Sequence, residues 1–397
     1  MQRPPLRFGI AGLGLASTFM LPYLARDPRV KITAAADVRP AAREQFAREF
    51  QAATFASVED LCRSPQVDVV YVCTPNYLHA EHAIQAATYG KHILLEKPMA
   101  VTLEECDAII AAAERHGVHL IYGHTHSYDP PIQKLWEVVR SGALGRLTML
   151  HTWNYTDLLY RPRAAWELDT QRGGGVVYIQ APHQVDIVRL LGGGLVGSVR
   201  AMTGCWDPAL PTEGAYAAYL EFADGVPATL VYSGYGHFDT AELHYWIGER
   251  GLPRDPATHA QTWAAYRARA AAGAADPDAG KDAVRYGGDR PRAPAAGPRH
   301  QYFFGLTLVS CERGDLRQSP DGIYVYDETG KRELPLPPDV TGNQAVIDAV
   351  YDAVVHDRPP LHDGRWGKAT LEVCLAILES ARQRRELLLA HQVPSPA

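Results

Sequence analysis

A glycine turn near the amino terminus has the residue types and spacing that can bind a pyrophosphate. The turn runs from Gly12 to Ser17, after a short β-rich run and before a helical segment. Gly12 permits a tight turn in this setting, and Gly14 lets the backbone approach phosphates that lie at the start of a helix. Ser17 stands where the G-x-G-x-x-G pattern has its third glycine, so a purely structural turn is the alternative.

An acidic residue at the end of the second predicted strand indicates which dinucleotide is bound. Asp37 follows Gly12 by 25 residues, where a carboxylate can accept hydrogen bonds from the ribose diol of an adenosine. Its negative charge would lie against a 2′-phosphate, so NAD is the expected cofactor. Arg39, two residues later, could bind that phosphate, and NADP therefore remains an alternative.

Two further polar segments follow predicted strands and should face the same cofactor. One runs from Cys73 to His79 (CTPNYLH), and the other is Glu96-Lys97-Pro98. Both belong at the carboxyl ends of parallel strands, where open α/β sheets bind their ligands. A lysine in this place can act as a base if burial and a nearby positive charge lower its pKa. The alternative for Lys97 is a salt bridge with Glu96.

Strand and helix signals alternate over residues 1–125, which predicts an α/β domain with a parallel, doubly wound sheet. The predicted strands are Arg7–Ala11, Val30–Ala36, Val67–Val72, His92–Leu95 and Val118–Tyr122. The predicted helices between them are Thr18–Ala25, Ala41–Phe50, Ala80–Tyr89 and Leu103–His116.

The pattern changes over residues 126–397. Predicted helices cover Pro131–Arg140, His183–Leu191, Asn343–Val355 and Lys368–Glu386, the last two forming a helical end at 343–386. Predicted strands cover Leu147–Trp153, Ala215–Phe222, Ala228–Ser233, Glu242–Ile247 and Gly322–Tyr326, and a glycine-rich strand precedes His183. Several of these strands follow one another without helices, which favours an antiparallel sheet.

Residues 251–300 have a composition that cannot build a core. Ala, Gly and Pro supply 27 of these 50 residues, whereas Ile, Val, Leu, Met and Phe supply two. We interpret the segment as an insertion, helical around Ala260–Ala272 and otherwise loose.

Composition and charge argue against nucleic-acid-binding and membrane proteins. The 397 residues contain 39 Lys and Arg against 45 Asp and Glu, a formal net charge of −6, without a dense basic run. No uncharged apolar run approaches the ~20 residues that span a bilayer, and the first residues lack the apolar stretch of a signal peptide. The six cysteines are scattered, which is typical of reduced thiols. We therefore expect a cytoplasmic protein that acts on a small molecule.

Taken together, these motifs resemble the glucose–fructose oxidoreductase/inositol dehydrogenase (Gfo/Idh/MocA) family. The resemblance includes a later glycine–histidine–aspartate segment, Gly173–Asp186, and covers nearly the whole chain. It implies an N-terminal Rossmann domain (1–125) and a C-terminal α+β domain (126–397) with an open, mainly antiparallel sheet. It also implies NAD(P)-dependent oxidoreduction of hydroxyl groups, and a homodimer or homotetramer formed through that sheet.

The resemblance assigns roles to individual residues. The lysine of the EKP segment lies beside the nicotinamide and the substrate hydroxyl in the family, and this catalytic role carries over to Lys97. The histidine of the second motif carries over to His183, for which a core histidine is the alternative. The candidate cofactor-binding residues are Gly12, Gly14, Leu15, Ala16, Asp37, Arg39, Thr74, Pro75, Asn76, His79, Glu96, Lys97 and Trp166.

The departures from the family pattern lie on the substrate side. The aspartate usual before the histidine is Ile179 here, so the lysine–aspartate–histidine set of sugar and inositol dehydrogenases is incomplete. A common Trp-Arg pair is Trp166-Glu167, and a common Asn-Arg pair is Thr125-His126. A sugar substrate is therefore less expected than for the family average.

The segments that replace this pattern resemble dehydrogenases of 4,5-dihydro-4,5-dihydroxyphthalate. They include Tyr160–Arg163, the glycine-rich motif with its histidine, and Val309–Arg313. The resemblance implies oxidation of a cis-dihydrodiol dicarboxylate to a catechol. Arg161 and Arg163 suit a dianion, because guanidinium groups bind carboxylates well; a solvated loop with an interdomain salt bridge is the alternative. The candidate substrate residues are His126, Arg161, Arg163, Gln180 and His183.

Three other interpretations remain. A metal site is not expected, although His124 and His126 lie close in sequence, because the chain has neither an HExxH motif nor a Cys/His cluster. A sugar or inositol dehydrogenase of the same family is the alternative within the same class. A non-catalytic regulator that senses the cofactor is the alternative from another class.

Overall fold

Strands and helices alternate at the start of the chain, as the sequence predicts. The computed structural model describes residues 4–273, 277–289 and 298–395. In chain order the first elements are β1 (Leu6–Ala11), α1 (Leu15–Leu24), β2 (Val30–Ala36), α2 (Pro40–Phe50), β3 (Ala53–Phe55), α3 (Val58–Arg63), β4 (Val69–Val72), α4 (His79–Thr88), β5 (His92–Leu95), α5 (Leu103–His116) and β6 (Leu120–Tyr122). The sequence pattern does not predict β3 and α3, which are three and six residues long.

These six strands form a parallel sheet in the order β3-β2-β1-β4-β5-β6. Strand β4 is buried along its whole length, as expected for a strand that is covered on both faces. The strand order reverses between β1 and β4, and in open α/β sheets the ligand binds at this point, outside the carboxyl ends of the strands. The predicted doubly wound sheet is confirmed.

The rest of the chain alternates less regularly. Its elements are α6 (Pro130–Ser141), β7 (Leu147–Tyr155), α7 (Gly175–Ile179), α8 (Ala181–Leu191), β8 (Val196–Gly204), β9 (Ala215–Phe222), β10 (Pro227–Ser233), α9 (Thr258–Ala271), α10 (Pro277–Asp282), β11 (Leu306–Cys311), β12 (Gly314–Ser319), β13 (Gly322–Asp327), β14 (Gly330–Pro335), α11 (Gly342–His356), α12 (Gly364–Gln383) and β15 (Leu387–Leu388). None of the described helices is both long and apolar enough to cross a lipid bilayer.

The second sheet has nine strands in the order β14-β13-β12-β11-β7-β10-β9-β8-β15. Among the strands that the structure describes in this sheet, only β7 and β10 pair in parallel, so the predicted mainly antiparallel sheet is confirmed. Its buried face packs on α8, where the Gln184 amide donates to Thr152 of β7 at 3.0 Å and accepts from the Tyr216 hydroxyl of β9.

Contacts divide the chain into two units whose limits differ from the predicted domains. The first unit contains Met1–His124, Asp278–Ala293 and Asn343–Leu371, and the second contains Thr125–Pro277, Pro294–Gly342 and Glu372–Ala397. The prediction assigned everything after residue 125 to the second domain. Contacts between segments far apart in sequence define these units, and a periodicity argument does not detect such contacts. Within the first unit, Gln344 of α11 donates to Asp27 at 2.8 Å and Tyr286 donates to Glu49 of α2 at 2.5 Å.

Two predicted strands are helices instead. Residues Glu242–Ile247 were expected to form a strand, but a 3₁₀ helix covers Thr240–His244, where the Asp239 carboxylate accepts from the amide of Ala241. The glycine-rich strand before His183 is instead the short helix α7. The predicted helix around Ala260–Ala272 is confirmed as α9. Parts of the predicted loose insertion, 274–276 and 290–297, lie outside the described residues.

Candidate active site

The two glycines of the turn after β1 meet different surroundings. Gly12 has a φ of +96°, and a Cβ there would lie 2.9 Å from the carbonyl oxygen of Cys73. The fold itself therefore requires glycine at this position. Gly14 has an extended backbone with a φ of −88°, and a Cβ there would meet only the Cys73 oxygen at 3.9 Å. Because Gly14 has no side chain, the space at the start of α1 stays open, and a phosphate fits such space. Leu15 and Ala16 are the first two residues of this helix.

Asp37 is tied to the glycine turn by its own hydrogen bonds. Its Oδ2 accepts from the amide of Leu13 at 2.8 Å. Its Oδ1 accepts from the amide and the Nε of Arg39 at 2.8 and 3.1 Å, and an Nη of Arg39 donates to the Leu13 carbonyl at 2.6 Å. The carboxylate and the guanidinium are therefore held beside the turn as a pair, so Arg39 does not present an unshared charge to a 2′-phosphate.

His79 joins the two other predicted cofactor segments. Its Nδ1 lies 2.7 Å from the Pro98 carbonyl oxygen and its Nε2 lies 2.9 Å from the Thr74 carbonyl oxygen. The ring is fully buried, and this burial lowers its pKa. The sequence placed His79 on the cofactor side. In the structure it holds the segment after β4, with Pro75 and Asn76, against the segment after β5.

Glu96 braces the turn that carries Lys97. Its Oε1 accepts from the hydroxyl of Tyr71 at 2.6 Å, and its Oε2 accepts from the backbone amide of Lys97 at 3.2 Å. Burial raises the pKa of the Tyr71 phenol, so this donor keeps its proton. The Lys97 side chain is half-buried, and its peptide bond to Pro98 is cis. Both oxygens of Glu96 are therefore engaged in shaping the turn.

Two imidazoles that the sequence predicts for the substrate side lie next to each other in the second unit. The rings of His126 and His183 are 4.7 Å apart, and both lie against Phe304, at 4.5 and 4.8 Å between ring centroids. His126 Nδ1 is 2.6 Å from the Oδ2 of Asp129. His183 lies in the first turn of α8, and both histidines are buried or nearly so.

Asp186 fixes the positions of these two histidines relative to each other through its hydrogen bonds. It lies one turn after His183 on α8 and is fully buried. Its Oδ2 accepts from the hydroxyl of Thr125 at 2.5 Å and from the hydroxyl of Ser127. These two residues flank His126, so one carboxylate fixes the loop of His126 to the helix of His183.

Comparisons with known proteins identify the family of this chain. A family model described as "Oxidoreductase family, NAD-binding Rossmann fold" matches residues 6–124, and a "GFO/IDH/MocA C-terminal domain" model matches residues 132–251. The chain is 41% identical to the 1-carboxy-3-chloro-3,4-dihydroxycyclohexa-1,5-diene dehydrogenase of Comamonas testosteroni over 394 residues, which cover 95% of each protein. This chain belongs to the Gfo/Idh/MocA family.

Solved structures agree with the assignment. A protein of Bordetella bronchiseptica RB50 described as a dehydrogenase superposes with a TM-score of 0.90 at 42% identity, covering 97% of this chain and 100% of that one. The WlbA dehydrogenase of Bordetella pertussis, solved with NADH and UDP-GlcNAcA, has a TM-score of 0.72 at 21% identity, covers 98% of this chain and 99% of its own, and shows the fold alone. As a member of the Gfo/Idh/MocA family, the protein is an NAD-dependent oxidoreductase, which replaces the regulator interpretation.

The glycine-rich motif of this Gfo/Idh/MocA enzyme depends on a glutamate that the sequence did not single out. A Cβ at Gly175, where φ is +79°, would overlap the carboxylate of Glu213. This carboxylate accepts from the amide of Val177 at 3.2 Å and from the Thr170 hydroxyl at 2.5 Å, and burial raises its pKa. A Cβ at Gly174 would overlap the backbone that follows Trp166. Glu213 therefore shapes the segment that leads through Gln180 to His183.

Each arginine predicted to bind substrate already pairs with a carboxylate of the second unit. Nε and Nη2 of Arg161 donate to the Oδ1 of buried Asp157 at 2.8 and 2.5 Å. Burial alone would raise the pKa of Asp157, but Arg161 and the hydrogen bonds outweigh burial and hold it at about 2. Nη1 of Arg163 lies 3.3 Å from Glu167. Because a guanidinium has five N–H donors, each arginine can still bind a second carboxylate.

A small polar cavity beside Arg161 is lined by both positive and negative side chains, so it has no excess of positive charge to attract an anion. Its lining includes Arg161, Arg254, Asp239 and Glu249, and both guanidinium groups pair with Asp157. The positive charges are therefore matched by carboxylates.

The site contains partners that the sequence interpretation missed. Asp129 lies three residues after His126, so its spacing offered a signal. Asp186 is the aspartate of the glycine–histidine–aspartate segment, but the sequence interpretation gave it no role. Glu213 and Phe304 come from distant segments, and no spacing connects them to the site. Among the described residues, no group of three or more His, Cys, Asp or Glu side chains is arranged to hold a metal ion.

Proposed function

We propose that this enzyme oxidises a carboxylated cyclohexadiene cis-diol to the corresponding catechol, with 4,5-dihydro-4,5-dihydroxyphthalate as the substrate. The observation that carries the proposal is the 41% identity, over 95% of both chains, to a dehydrogenase named for a carboxylated dihydroxycyclohexadiene. The resemblance of the segment around Tyr160–Arg163 to dehydrogenases of the phthalate diol supports the dicarboxylate.

The chemistry requires a base and a hydride acceptor. NAD bound by the glycine turn and Asp37 would supply the acceptor for the hydride that leaves the carbinol carbon. We propose that Lys97 removes the hydroxyl proton, and that His183 orients this hydroxyl or relays its proton. Loss of hydride and proton leaves a hydroxy-dienone, which tautomerises to the aromatic catechol. Aromatisation makes the oxidation of such a diol favourable in a way that a sugar substrate cannot match.

A second candidate substrate is a diol that carries one carboxylate. The named substrate of the Comamonas relative has a single carboxyl group, and both Arg161 and Arg163 already pair with carboxylates of the chain. Because both arginines share their N–H donors with carboxylates of the chain, a substrate with one carboxylate can use the donors that remain.

A comparison of matched substrates tests the proposal. Initial rates of nicotinamide reduction are measured with the dicarboxylated diol, the monocarboxylated diol, the diol without carboxylate, and myo-inositol. We expect the highest kcat/KM with the dicarboxylated diol, and at least roughly a tenfold loss for each missing carboxylate, because a hydrogen bond to a charged group contributes about 1.5–3 kcal/mol. A preference for the monocarboxylated diol would support the second candidate, and a preference for myo-inositol would contradict both.

Replacing Arg163 with glutamine should separate the two substrate candidates. If Arg163 binds the second carboxylate, Arg163→Gln raises KM for the dicarboxylated diol by roughly tenfold or more and leaves KM for the monocarboxylated diol unchanged. Arg332→Gln is the control, because it removes a guanidinium of the second unit that pairs with Asp327 and has no predicted role at the site. Equal effects of Arg163→Gln on both substrates would show that Arg163 serves the fold through Glu167.

Replacing Asp37 with alanine should weaken the preference for NAD. The ribose diol loses its acceptor and a 2′-phosphate loses the carboxylate that opposes it, while Arg39 is released from its ion pair. We expect the ratio of kcat/KM for NAD to that for NADP to fall by roughly tenfold, which corresponds to about 1.4 kcal/mol. Equal values of kcat/KM for the two cofactors in the unmutated enzyme would contradict this role of Asp37.

We also propose that the enzyme forms a homodimer or homotetramer through the second sheet. Met149 and Trp153 of β7, Met202 of β8 and Tyr219 of β9 are exposed, and the strand register places them on one face of the sheet. A large exposed apolar face is typical of a surface that associates. Sedimentation velocity would measure the mass of the assembly.

A further inference from the structure

Asp129 occupies a helix cap position but does not cap the helix. It directly precedes α6, which begins with Pro130 and Pro131. Aspartate at this position normally accepts from amides of the first turn, but proline has no backbone N–H to donate. The sequence Asp-Pro-Pro therefore removes the nearest donors, and the Asp129 side chain makes no capping bond.

The carboxylate is directed at His126 instead. Oδ2 of Asp129 lies 2.6 Å from Nδ1 of His126, and the Asp129 side chain is only 2% exposed. A carboxylate accepts from the N–H of Nδ1, so in a neutral ring this bond favours the tautomer that has its lone pair on Nε2. Phe304 stacks on the same ring at an interplanar angle of 21°, which fixes the ring plane.

The same site lacks the carboxylate that the family motif carries. Position 179 is isoleucine rather than the usual aspartate. His183 approaches the edge of His126 at 4.7 Å between ring centroids, and Asp186 fixes the loop of His126 to α8. A carboxylate–imidazole pair is therefore present beside His183, although it comes from a different element.

We propose that Asp129 is a positioning residue for the oxidation: it holds His126 protonated at Nδ1, so that Nε2 acts with His183 on the substrate hydroxyl. This inference rests on the proposed function and on the prediction from the sequence that His126 contacts the substrate. In this arrangement the Asp129–His126 pair takes over the task of the missing aspartate at position 179. Asp129 acts through His126 and does not itself touch the substrate.

A double-mutant cycle distinguishes this role from a structural one. The variants are Asp129→Asn, His126→Gln and the combination of the two, assayed with the best diol substrate of the parent enzyme. We expect Asp129→Asn to lower kcat by roughly tenfold to a hundredfold with an unchanged KM for NAD. The double variant should be no slower than His126→Gln alone, because the carboxylate has no effect once the imidazole is gone.

Two further measurements keep the inference falsifiable. In NMR spectra of protein with ¹⁵N-labelled histidine, the parent should show His126 protonated at Nδ1, and Asp129→Asn should lose that signature. Asp129→Glu retains the carboxylate, so we expect it to recover part of the rate. The control is Asp27→Asn, which removes another buried, ion-paired carboxylate and should lower Tm without changing kcat.

The outcomes separate this inference from the proposed function. A parent enzyme that oxidises no carboxylated diol contradicts the proposed function, and the NMR signature still decides whether Asp129 sets the tautomer. An active parent in which Asp129→Asn keeps the parent kcat overturns the inference. Multiplicative losses in the double variant also overturn it, because they would show that Asp129 acts independently of His126.

Discussion

A Lys97→Met enzyme should bind NAD normally and lose roughly 10²–10⁴ in kcat, the usual range for removal of a general base. Hydride leaves a carbinol carbon only as the hydroxyl proton is removed, so the base must lie within about 2.6–3.2 Å of that oxygen. Methionine has a similar length and apolar stem but accepts no proton. The contacts that shape the turn run from the Tyr71 hydroxyl to Glu96 and from the backbone amide of residue 97 to Glu96, so they should survive the substitution.

Two further variants show whether the loss of kcat in Lys97→Met comes from the missing base. Lys91→Met is the control, because the Lys91 ammonium donates to the carbonyls of Ser64 and Val67 at 2.9 and 2.8 Å and serves the fold. It should lower Tm and leave kcat unchanged. His183→Ala should lose less than Lys97→Met or change mainly KM. Near-parental kcat in a folded Lys97→Met enzyme would contradict the assignment of Lys97 as the base.

The first sheet could be predicted because its signals are local. Its strands are short apolar runs between helices, and every chemical segment follows a strand directly: Gly12 after β1, Asp37 after β2, Thr74 after β4 and Lys97 after β5. Parallel strand ends meet at one edge, so strand order alone brings these residues together. The predictions of the glycine turn, the acidic residue and the two later segments all follow from this rule.

The second sheet was only partly predictable because its elements are defined by distant partners. The glycine segment became α7 because Glu213, from much later in the chain, accepts the amide of Val177. Residues Glu242–Ile247 have β-like composition, but the Asp239 carboxylate caps a 3₁₀ helix that covers Thr240–His244. Strand β7 pairs with β10 and β11, which lie far from it in sequence. The hydrophobic periodicity of a segment does not show which distant segment it pairs with.

The substrate side shows the same limit at the level of single residues. His126 and His183 were predicted from family positions, and Asp129 could have been found from the Asp-Pro-Pro sequence beside His126. Phe304, which both rings contact, lies in a segment with no motif. Arg161 and Asp157 are four residues apart, so their pairing could be predicted from the spacing. The burial of Asp157 depends on the surrounding fold and could not be predicted in this way.

Replacing Gly14 with valine should leave the protein folded and raise KM for NAD by roughly tenfold to a hundredfold. The backbone of Gly14 is extended and a Cβ would meet only one atom of the chain, at 3.9 Å, so Tm should change little. The added methyl groups would occupy the space at the start of α1. A pyrophosphate displaced from this place would lose one or two hydrogen bonds to charged oxygens, each of which contributes about 1.5–3 kcal/mol.

Gly12→Ala is the opposite case and serves as the control for Gly14→Val. Its φ of +96° and the 2.9 Å approach to the Cys73 oxygen should lower Tm, because an L-residue is strained there. Differential scanning calorimetry and NAD titration on both variants would separate a glycine that the fold needs from one that the ligand needs. A Gly14→Val protein with parental Tm and parental KM for NAD would show that the phosphates do not lie over this glycine.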